Sequence, residues 1–242
     1  MYRIKRAGNI DHNIISVYTD SRSSVNSLLK IGGWDQVAIK DGAKLEMFRT
    51  NNNGNWMLGV ESYQFNKMDL VDSTQTRYVF LEPQLPFIYI PDSDFKTFRT
   101  VMKNSYPNIE CDTSKNYCRF LEKCEDVRTA DQDFDLVIKD VTGKTVNYQI
   151  NEQDMLIPGS TLKESDNTCY IAIFNSAVKN SDNSLYLGDI FFNKFYVVFD
   201  MTPYDERNEK YIQIGLAEKN PINNIGRQQY DEDYEYYWPE KQ

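Results

Sequence analysis

The sequence predicts an all-β domain that carries two or three short helices. Short segments rich in branched and aromatic residues recur along the first 217 residues, and clusters of Asn, Gly, Asp and Ser separate them. Aromatic residues make up 14% of the 242 positions, mainly Tyr and Phe, and these types favour half-buried strands. Because no repeat or low-complexity linker divides this region, a single domain is expected.

Strands are expected wherever such a segment lies between two turn-forming clusters. Two of the clusters have sequences typical of turns: residues 51–55, NNNGN, and residues 141–144, VTGK, the second of which predicts the tip of a hairpin. The predicted strands cover residues 14–18, 28–31, 45–48, 56–65, 78–80, 87–90, 134–138, 145–150, 170–174, 185–187, 196–199 and 211–216.

Two helices are expected between the strands. Residues 94–103 place apolar side chains on one helical face, beginning with Phe95, and either Asp92 or Ser93 is the expected N-cap. A shorter helix is expected to start at Asp189, whose carboxylate would accept hydrogen bonds from the first free N–H groups. Both helices are interpreted as packing elements of a β domain.

The charge and the hydropathy pattern exclude two classes of partner. The chain has 36 acidic and 27 basic side chains, a net charge of −9, so its surface repels phosphate backbones and nucleic acid is not expected to bind. No run approaches the ~20 apolar residues that a membrane span needs. The first seven residues, MYRIKRA, precede a polar segment rather than an apolar one, so no signal peptide is expected there.

The residues that usually bind metals or cofactors are sparse. The single histidine, His12, cannot complete an ordinary Cys/His zinc site or a convincing catalytic triad. Gly33 is followed by Trp34 rather than by the Lys of a phosphate loop. Neither a metal nor a cofactor is therefore expected. The cysteines are compatible with two disulfides or with four reduced thiols: Cys111, Cys118, Cys124 and Cys169.

Two segments near the end of this region resemble a known family. Residues 187–200 read LGDIFFNKFYVVFD, and residues 211–217 read YIQIGLA. In order, spacing and residue type they are similar to the closing motif of the pepsin-like aspartic proteases. Residues 29–35, LKIGGWD, resemble that family's Phe-Gly-Gly-Tyr-Asp motif, and residues 134–158 resemble a strand, a Gly turn and a polar strand of the same family.

The resemblance covers about residues 10–217 and only the C-terminal lobe of a two-lobed protease. It implies a single pepsin-like acid protease lobe over residues 1–217, with two stacked or orthogonal sheets. Within it, residues 1–18 resemble the segment that connects the lobes in the family. Residues 218–242 are then an acidic, aromatic C-terminal tail.

The resemblance also locates the family's catalytic loop. Alignment on Pro91 brings the Asp-Thr-Gly sequence onto Glu82-Pro83-Gln84. Glu is one methylene longer than Asp, and a misplacement of about 1 Å can cost ~100-fold in rate. Pro83 removes a backbone N–H, and Gln84 adds a Cβ where the family uses Gly. The sequence therefore predicts that no intact catalytic residue remains and that this chain alone is not a peptidase, although the resemblance is to aspartic-type endopeptidases.

The resemblance further implies a pairing of the cysteines. Cys169 occupies the second position of the disulfide that closes part of the family's C-terminal lobe, and Cys124 is the best candidate for the first. Cys111 and Cys118 would then form a local bridge. Bridged cysteines together with an upstream signal would indicate a secretory or lysosome-like location, whereas reduced cysteines would indicate an intracellular one.

The tail offers candidate docking residues. Residues 228–242, QQYDEDYEYYWPEKQ, combine acidic side chains with aromatic ones, so the tail is either a solvated end or a docking peptide for a basic groove. The aromatic anchors of such a peptide would be Tyr234, Tyr236, Tyr237 and Trp238.

Three functions remain open from the sequence. The chain is an inactive aspartic-protease-like lobe that acts as a binding or structural component, a piece of a two-lobed protein, or one chain of a working acid endopeptidase. In the first two cases the expected partner is a protein, either the missing N-terminal lobe or the subunits of an assembly, because the side that faces the cleft would otherwise expose apolar surface.

Overall fold

The structure, a computed structural model, describes residues 8, 10–20, 27–50, 56–71, 75–111, 116–130, 132–165, 167–176, 184–203 and 211–220. The predicted all-β class is confirmed. The helices are α1 (Asp92–Ser105) and α2 (Asp189–Phe192), with 3-10 turns at Gln36–Ala38, Glu152–Met155 and Gly159–Leu162. The strands are β1 (Ile14–Tyr18), β2 (Leu28–Ile31), β3 (Glu46–Arg49), β4 (Met57–Val60), β5 (Ser62–Phe65), β6 (Met68–Asp69), β7 (Arg77–Leu81), β8 (Ile88–Ile90), β9 (Arg119–Phe120), β10 (Asp133–Lys139), β11 (Thr145–Asn151), β12 (Leu156–Pro158), β13 (Cys169–Ile171), β14 (Ile173–Asn175), β15 (Ser184–Leu187), β16 (Phe195–Asp200) and β17 (Gln213–Glu218).

The first sheet contains both ends of the described chain. Its strands are antiparallel in the order β2-β1-β16-β17-β3. One face of β1 and β16 contributes Ile14, Tyr18 and Tyr196 to a small core that also contains Ile39. Because side chains alternate along a strand, Ile15 and Val17 project from the opposite face, towards the rest of the molecule.

The second sheet carries the loop that the sequence analysis singled out. Its order is β14-β8-β15-β7-β4, and it mixes parallel and antiparallel pairs: β15 runs parallel to β7 but antiparallel to β8. Inward-facing Val79 and Leu81 of β7 are buried in the main hydrophobic core. The chain therefore leaves a buried strand at Leu81 and enters the loop at Glu82.

The remaining strands form two smaller sheets, β11-β10-β5-β6 and β12-β13-β9, so the described residues form four sheets rather than the expected pair. The predicted hairpin at residues 141–144 is confirmed, because β10 and β11 are antiparallel partners on either side of it. The predicted turn at residues 51–55 lies outside the described residues.

Two segments predicted as single strands are each divided between two sheets. Residues 56–65 break at Glu61, where β4 leaves its partner β7 and β5 joins β10; the Glu61 N–H donates to Val137 O at 3.0 Å. Residues 170–174 break at Ala172, whose N–H donates to Met155 O at 2.8 Å. In both cases the prediction was wrong because the local sequence does not show with which strand each half of the segment pairs.

The predicted helix caps are also wrong. Helix α1 starts earlier than expected, with Pro91 as its N-cap, and the Phe95 N–H donates to Pro91 O at 2.8 Å. Asp92 lies inside the first turn. Helix α2 has Gly188 as its N-cap, and the Asp189 carboxylate instead accepts a hydrogen bond from Asn193 Nδ2 at 3.2 Å. Neither described helix is long and apolar enough to span a membrane.

Both disulfides implied by the resemblance are present, Cys111–Cys118 and Cys124–Cys169. The second joins residues 45 positions apart and fastens the segment before β10 to strand β13. All four cysteines are paired. Paired cysteines are typical of proteins that fold in an oxidising compartment.

Candidate functional site

The candidate site is the Glu82 loop, residues 82–84, at the end of β7. The main chain on both sides of this loop is tied to its surroundings. The Glu82 N–H donates to Leu187 O at 3.0 Å, and the Leu85 N–H donates back to Glu82 O at 2.9 Å. These two hydrogen bonds fix the position at which the Glu82 side chain leaves the backbone.

The Leu-Gly-Asp turn packs directly against this loop. The Gly188 N–H donates to Phe87 O at 3.0 Å, and the Asp189 N–H donates to Leu85 O at 2.6 Å. A Cβ at position 188 would lie 2.2 Å from Leu85 O and 2.5 Å from Phe87 O, far inside van der Waals contact. Only glycine allows this approach. The motif on which the resemblance rests therefore supports the loop structurally.

The side chains of the loop differ in exposure. Glu82 is half-buried, whereas Pro83 and Gln84 are exposed. The Gln84 amide donates from Nε2 to Glu82 Oε2 at 3.0 Å. One oxygen of the carboxylate thus accepts from a neutral amide of the same loop.

The Glu82 loop forms one wall of an open groove of about 760 Å³, which we call the loop-side groove. Strands β1, β2 and β16 of the first sheet line it together with β7 of the second sheet. Trp56 packs edge-on against Phe199, with the ring centroids 4.8 Å apart. Among the lining residues that the structure describes, Glu82 is the only ionisable one; the others are Ile15, Val17, Leu29, Trp56, Phe80, Leu81, Pro83, Gln84 and Phe199.

A buried ion pair anchors the strand that leads into the loop. Arg77 begins β7 and Asp94 lies in α1; each side chain is 2% exposed. The guanidinium donates from Nε and Nη2 to the two carboxylate oxygens at 2.8 and 2.7 Å, and the Tyr63 hydroxyl donates to the same carboxylate.

The hydrogen bond with Asp94 raises the pKa of Arg77. Burial, followed by the Asp94 charge, raises the pKa of Tyr63 well above its usual value. Because the Tyr63 hydroxyl therefore stays protonated, it remains a donor to Asp94. This network is not among the expectations from the sequence, although an Arg in phase with the inward-facing residues of β7 is a signal that a charged partner lies inside.

Other predicted residues lie away from the groove. Cys111, Cys118, Cys124 and Cys169 are occupied in the two disulfides. His12 is half-buried just before β1. No cluster of His, Cys, Asp or Glu suited to a metal ion occurs in the described part of the chain. The predicted docking residues lie outside the described residues: Tyr234, Tyr236, Tyr237 and Trp238.

The mixed β fold, the Gly188 turn and the loop after β7 are together those of one acid-protease-type lobe. A family model described as eukaryotic aspartyl protease matches residues 1–211. The chain therefore belongs to the eukaryotic aspartyl protease family, and the resemblance seen in the sequence is confirmed. A search of curated proteins finds no match to this chain.

Proposed function

We propose that this chain is a catalytically inactive aspartic-protease-like lobe that serves as a protein-binding component. The observation that carries this proposal is the sequence Glu82-Pro83-Gln84 at the mouth of an otherwise apolar groove. Acid proteolysis by this family's chemistry requires two carboxyl groups in near contact that share one proton, so that one acts as acid and the other as base.

The surroundings of Glu82 argue against that chemistry. In the described residues of the loop-side groove, no second carboxyl group accompanies it. Its partner within the loop is the Gln84 amide, which donates a hydrogen bond and cannot share a proton. Pro83 contributes no backbone N–H to an approaching substrate oxygen. On these grounds we propose that the loop does not support acid proteolysis within this chain.

The same groove is suited to binding a protein. Its walls are formed by the aliphatic and aromatic side chains of four strands, including half-buried Phe80, and by half-buried Trp56, which precedes β4. An aromatic-lined apolar surface beside a strand edge is typical of a protein interface. We propose a protein partner there, either a second lobe or an assembly subunit, and no nucleic acid, since the chain carries a net charge of −9.

The proposal extends to the domain organisation and the compartment. Residues 1–217 form the lobe, and the first 18 of them correspond to the connecting segment. Residues 218–242 form a tail whose aromatic residues are candidates for a second docking contact. The two disulfides and the protease family together support a secretory or lysosome-like route.

Binding of a statine-type inhibitor tests the proposal. The statine hydroxyl imitates the tetrahedral intermediate, so a working acid protease binds it at least ~100-fold more tightly than the matched peptide without the hydroxyl. Trp56 lines the groove, and its fluorescence at pH 3–5 reports occupancy, with Trp56→Phe as the blank. We expect no preference between the two peptides. A strong preference for the statine that disappears in Glu82→Gln would establish the endopeptidase alternative instead.

A further inference from the structure

Strand β2 forms an apolar outer edge of the first sheet. It pairs with β1 on one side, and no described strand lies on its other side. Leu29 and Ile31 are 61% and 45% exposed, which is high for large aliphatic side chains. An edge of this kind is a template for pairing with another strand, which proteins commonly block with charges, proline or a covering loop.

The other edge of the same sheet, β3, is covered. There the Val141 N–H, at the tip of the β10–β11 hairpin, donates to Met47 O at 2.9 Å. The sheet therefore has one edge that the lobe itself covers and one that no described residue covers. The single charge on β2 is Lys30, and its ammonium group is held within the lobe by Asp35.

The hydrogen-bond pattern shows which groups of β2 point outwards. Gly32 N donates to Ile14 O at 2.8 Å, so this opposed pair is a hydrogen-bonded one. Such pairs alternate along an antiparallel ladder, and the next one along is Lys30 with Ser16. The N–H and C=O groups of Leu29 and Ile31 consequently point away from β1, towards the outside.

We propose that a second copy of this chain pairs with β2, antiparallel, about a two-fold axis that passes through Lys30. This inference rests on the proposed function, since it names the partner that covers the apolar surface beside the Glu82 loop. In this arrangement Leu29 faces Ile31 of the second copy, and Ile31 faces its Leu29. Each pair exchanges both main-chain hydrogen bonds, so every outward-facing residue of β2 has a partner.

The second copy is favoured because β2 is complementary to itself. In the antiparallel register centred on Lys30, the Leu29 and Ile31 side chains of both copies meet on one face and extend the apolar surface of Val17 and Ile15. On the other face the two Lys30 side chains approach each other, and each brings its own Asp35, so positive and negative charges balance. An isologous contact of this kind closes as a dimer.

Cross-linking tests the register directly. Residue 30 faces its own symmetry mate in a non-hydrogen-bonded pair, where the Cα atoms are about 4.5 Å apart, a separation that suits a disulfide. Because the natural cysteines are all paired, Lys30→Cys adds the only free thiol. We expect a covalent dimer after mild oxidation. Leu28→Cys is the matched control: it lies on the same strand and face, but its symmetry mate is about 14 Å away, too far to bridge.

Charge placement gives a second test that does not depend on oxidation. Leu29→Glu/Ile31→Glu places like charges opposite each other across the axis, whereas Leu29→Glu/Ile31→Lys places opposite charges there. We expect the first variant to raise the dimer dissociation constant at least about 100-fold relative to the second, measured by sedimentation equilibrium. Both variants carry two exposed substitutions, so unequal folding is checked by circular dichroism.

The results of these two tests bear on pairing through β2 and not on the proposed loss of catalysis. Pairing through β2 is overturned if the chain stays monomeric. It is also overturned if a dimer forms that cross-links equally through Lys30→Cys and Leu28→Cys and has the same dissociation constant in both charge variants. A monomer whose β2 edge becomes available only when residues 221–242 are removed also overturns it, in favour of the tail as the occupant. None of these results affects the statine comparison, which tests separately whether the lobe is an active protease.

Discussion

Removing one partner of the buried Arg77–Asp94 pair is expected to destabilise the lobe strongly. Both side chains are 2% exposed and joined by two hydrogen bonds of 2.7 and 2.8 Å, so Asp94→Asn leaves an uncompensated guanidinium in the core. Breaking a buried pair from one side costs about 3–5 kcal/mol. Tyr63→Phe removes only a hydrogen bond to the charged group, and its expected cost is about 1.5–3 kcal/mol.

Replacing both partners provides the decisive comparison. Arg77→Met/Asp94→Leu removes both charges and fills the space with apolar groups, a change that is often neutral or stabilising for buried pairs. Urea denaturation followed by far-UV circular dichroism gives the free energy of unfolding for each variant at a common m value. We expect the double variant to be more stable than Asp94→Asn. A double variant as unstable as the single one would refute the assignment of the loss to an unpaired buried charge.

Three further predictions concern the loop, the small core and the longer disulfide. Gly188→Ala should cost about 3 kcal/mol or more in thermal or urea unfolding, because its Cβ would lie 2.2 Å from a carbonyl oxygen, while Gly59→Ala, with open space at its Cβ, should cost far less. Burial raises the pKa of Tyr196 to about 12, so its contribution to stability is complete below pH ~10 and is lost by pH ~12; Tyr196→Phe should reduce this alkaline loss by about 3 kcal/mol. Replacing Cys124 and Cys169 by Ala should cost about 4 kcal/mol on the chain-entropy model, given their separation of 45, and an unchanged urea midpoint would contradict that model here.

Local sequence was sufficient for two strands of the first sheet. Residues 14–18 and 28–31 were predicted with the bounds that β1 and β2 have, because each is a short apolar segment between polar clusters. It was insufficient at Glu61 and Ala172, where the chain passes from one sheet to another. Those breaks depend on hydrogen bonds to Val137 and Met155, far away along the chain.

The N-cap of the first helix also could not be predicted from the local sequence. Asp92 and Ser93 are good N-cap residues in isolation, yet the N-cap is Pro91 and the helix begins at Asp92. In the fold, Ser93 Oγ donates to Asp94 Oδ1 at 2.7 Å, and Arg77 Nη2 lies 3.1 Å from the same hydroxyl. The Ser93 side chain is therefore part of the buried charge network instead, while Asp92 pairs with Lys96 and Asn175, and local propensity reveals neither contact.

The candidate site could be predicted only in part. The position of Glu82 followed from the spacing to Pro91 and from the family resemblance. The groove did not, because its walls come from strands that are distant in sequence, such as Val17 of β1 and Phe199 of β16. The exposed edge of β2 was also missed: its sequence, LLKI, is that of an ordinary strand, and only the sheet order shows that it is outermost.

Peptide-bond hydrolysis by the chain itself is the most direct test of the central claim. An acid-denatured protein substrate is incubated at pH 3–5 with the natural chain and, in parallel, with Glu82→Gln, and the products are quantified by mass spectrometry. We expect the same background of products in both samples, with no effect of a statine-type inhibitor. Cleavage by the natural chain that is absent with Glu82→Gln and blocked by the inhibitor would contradict it.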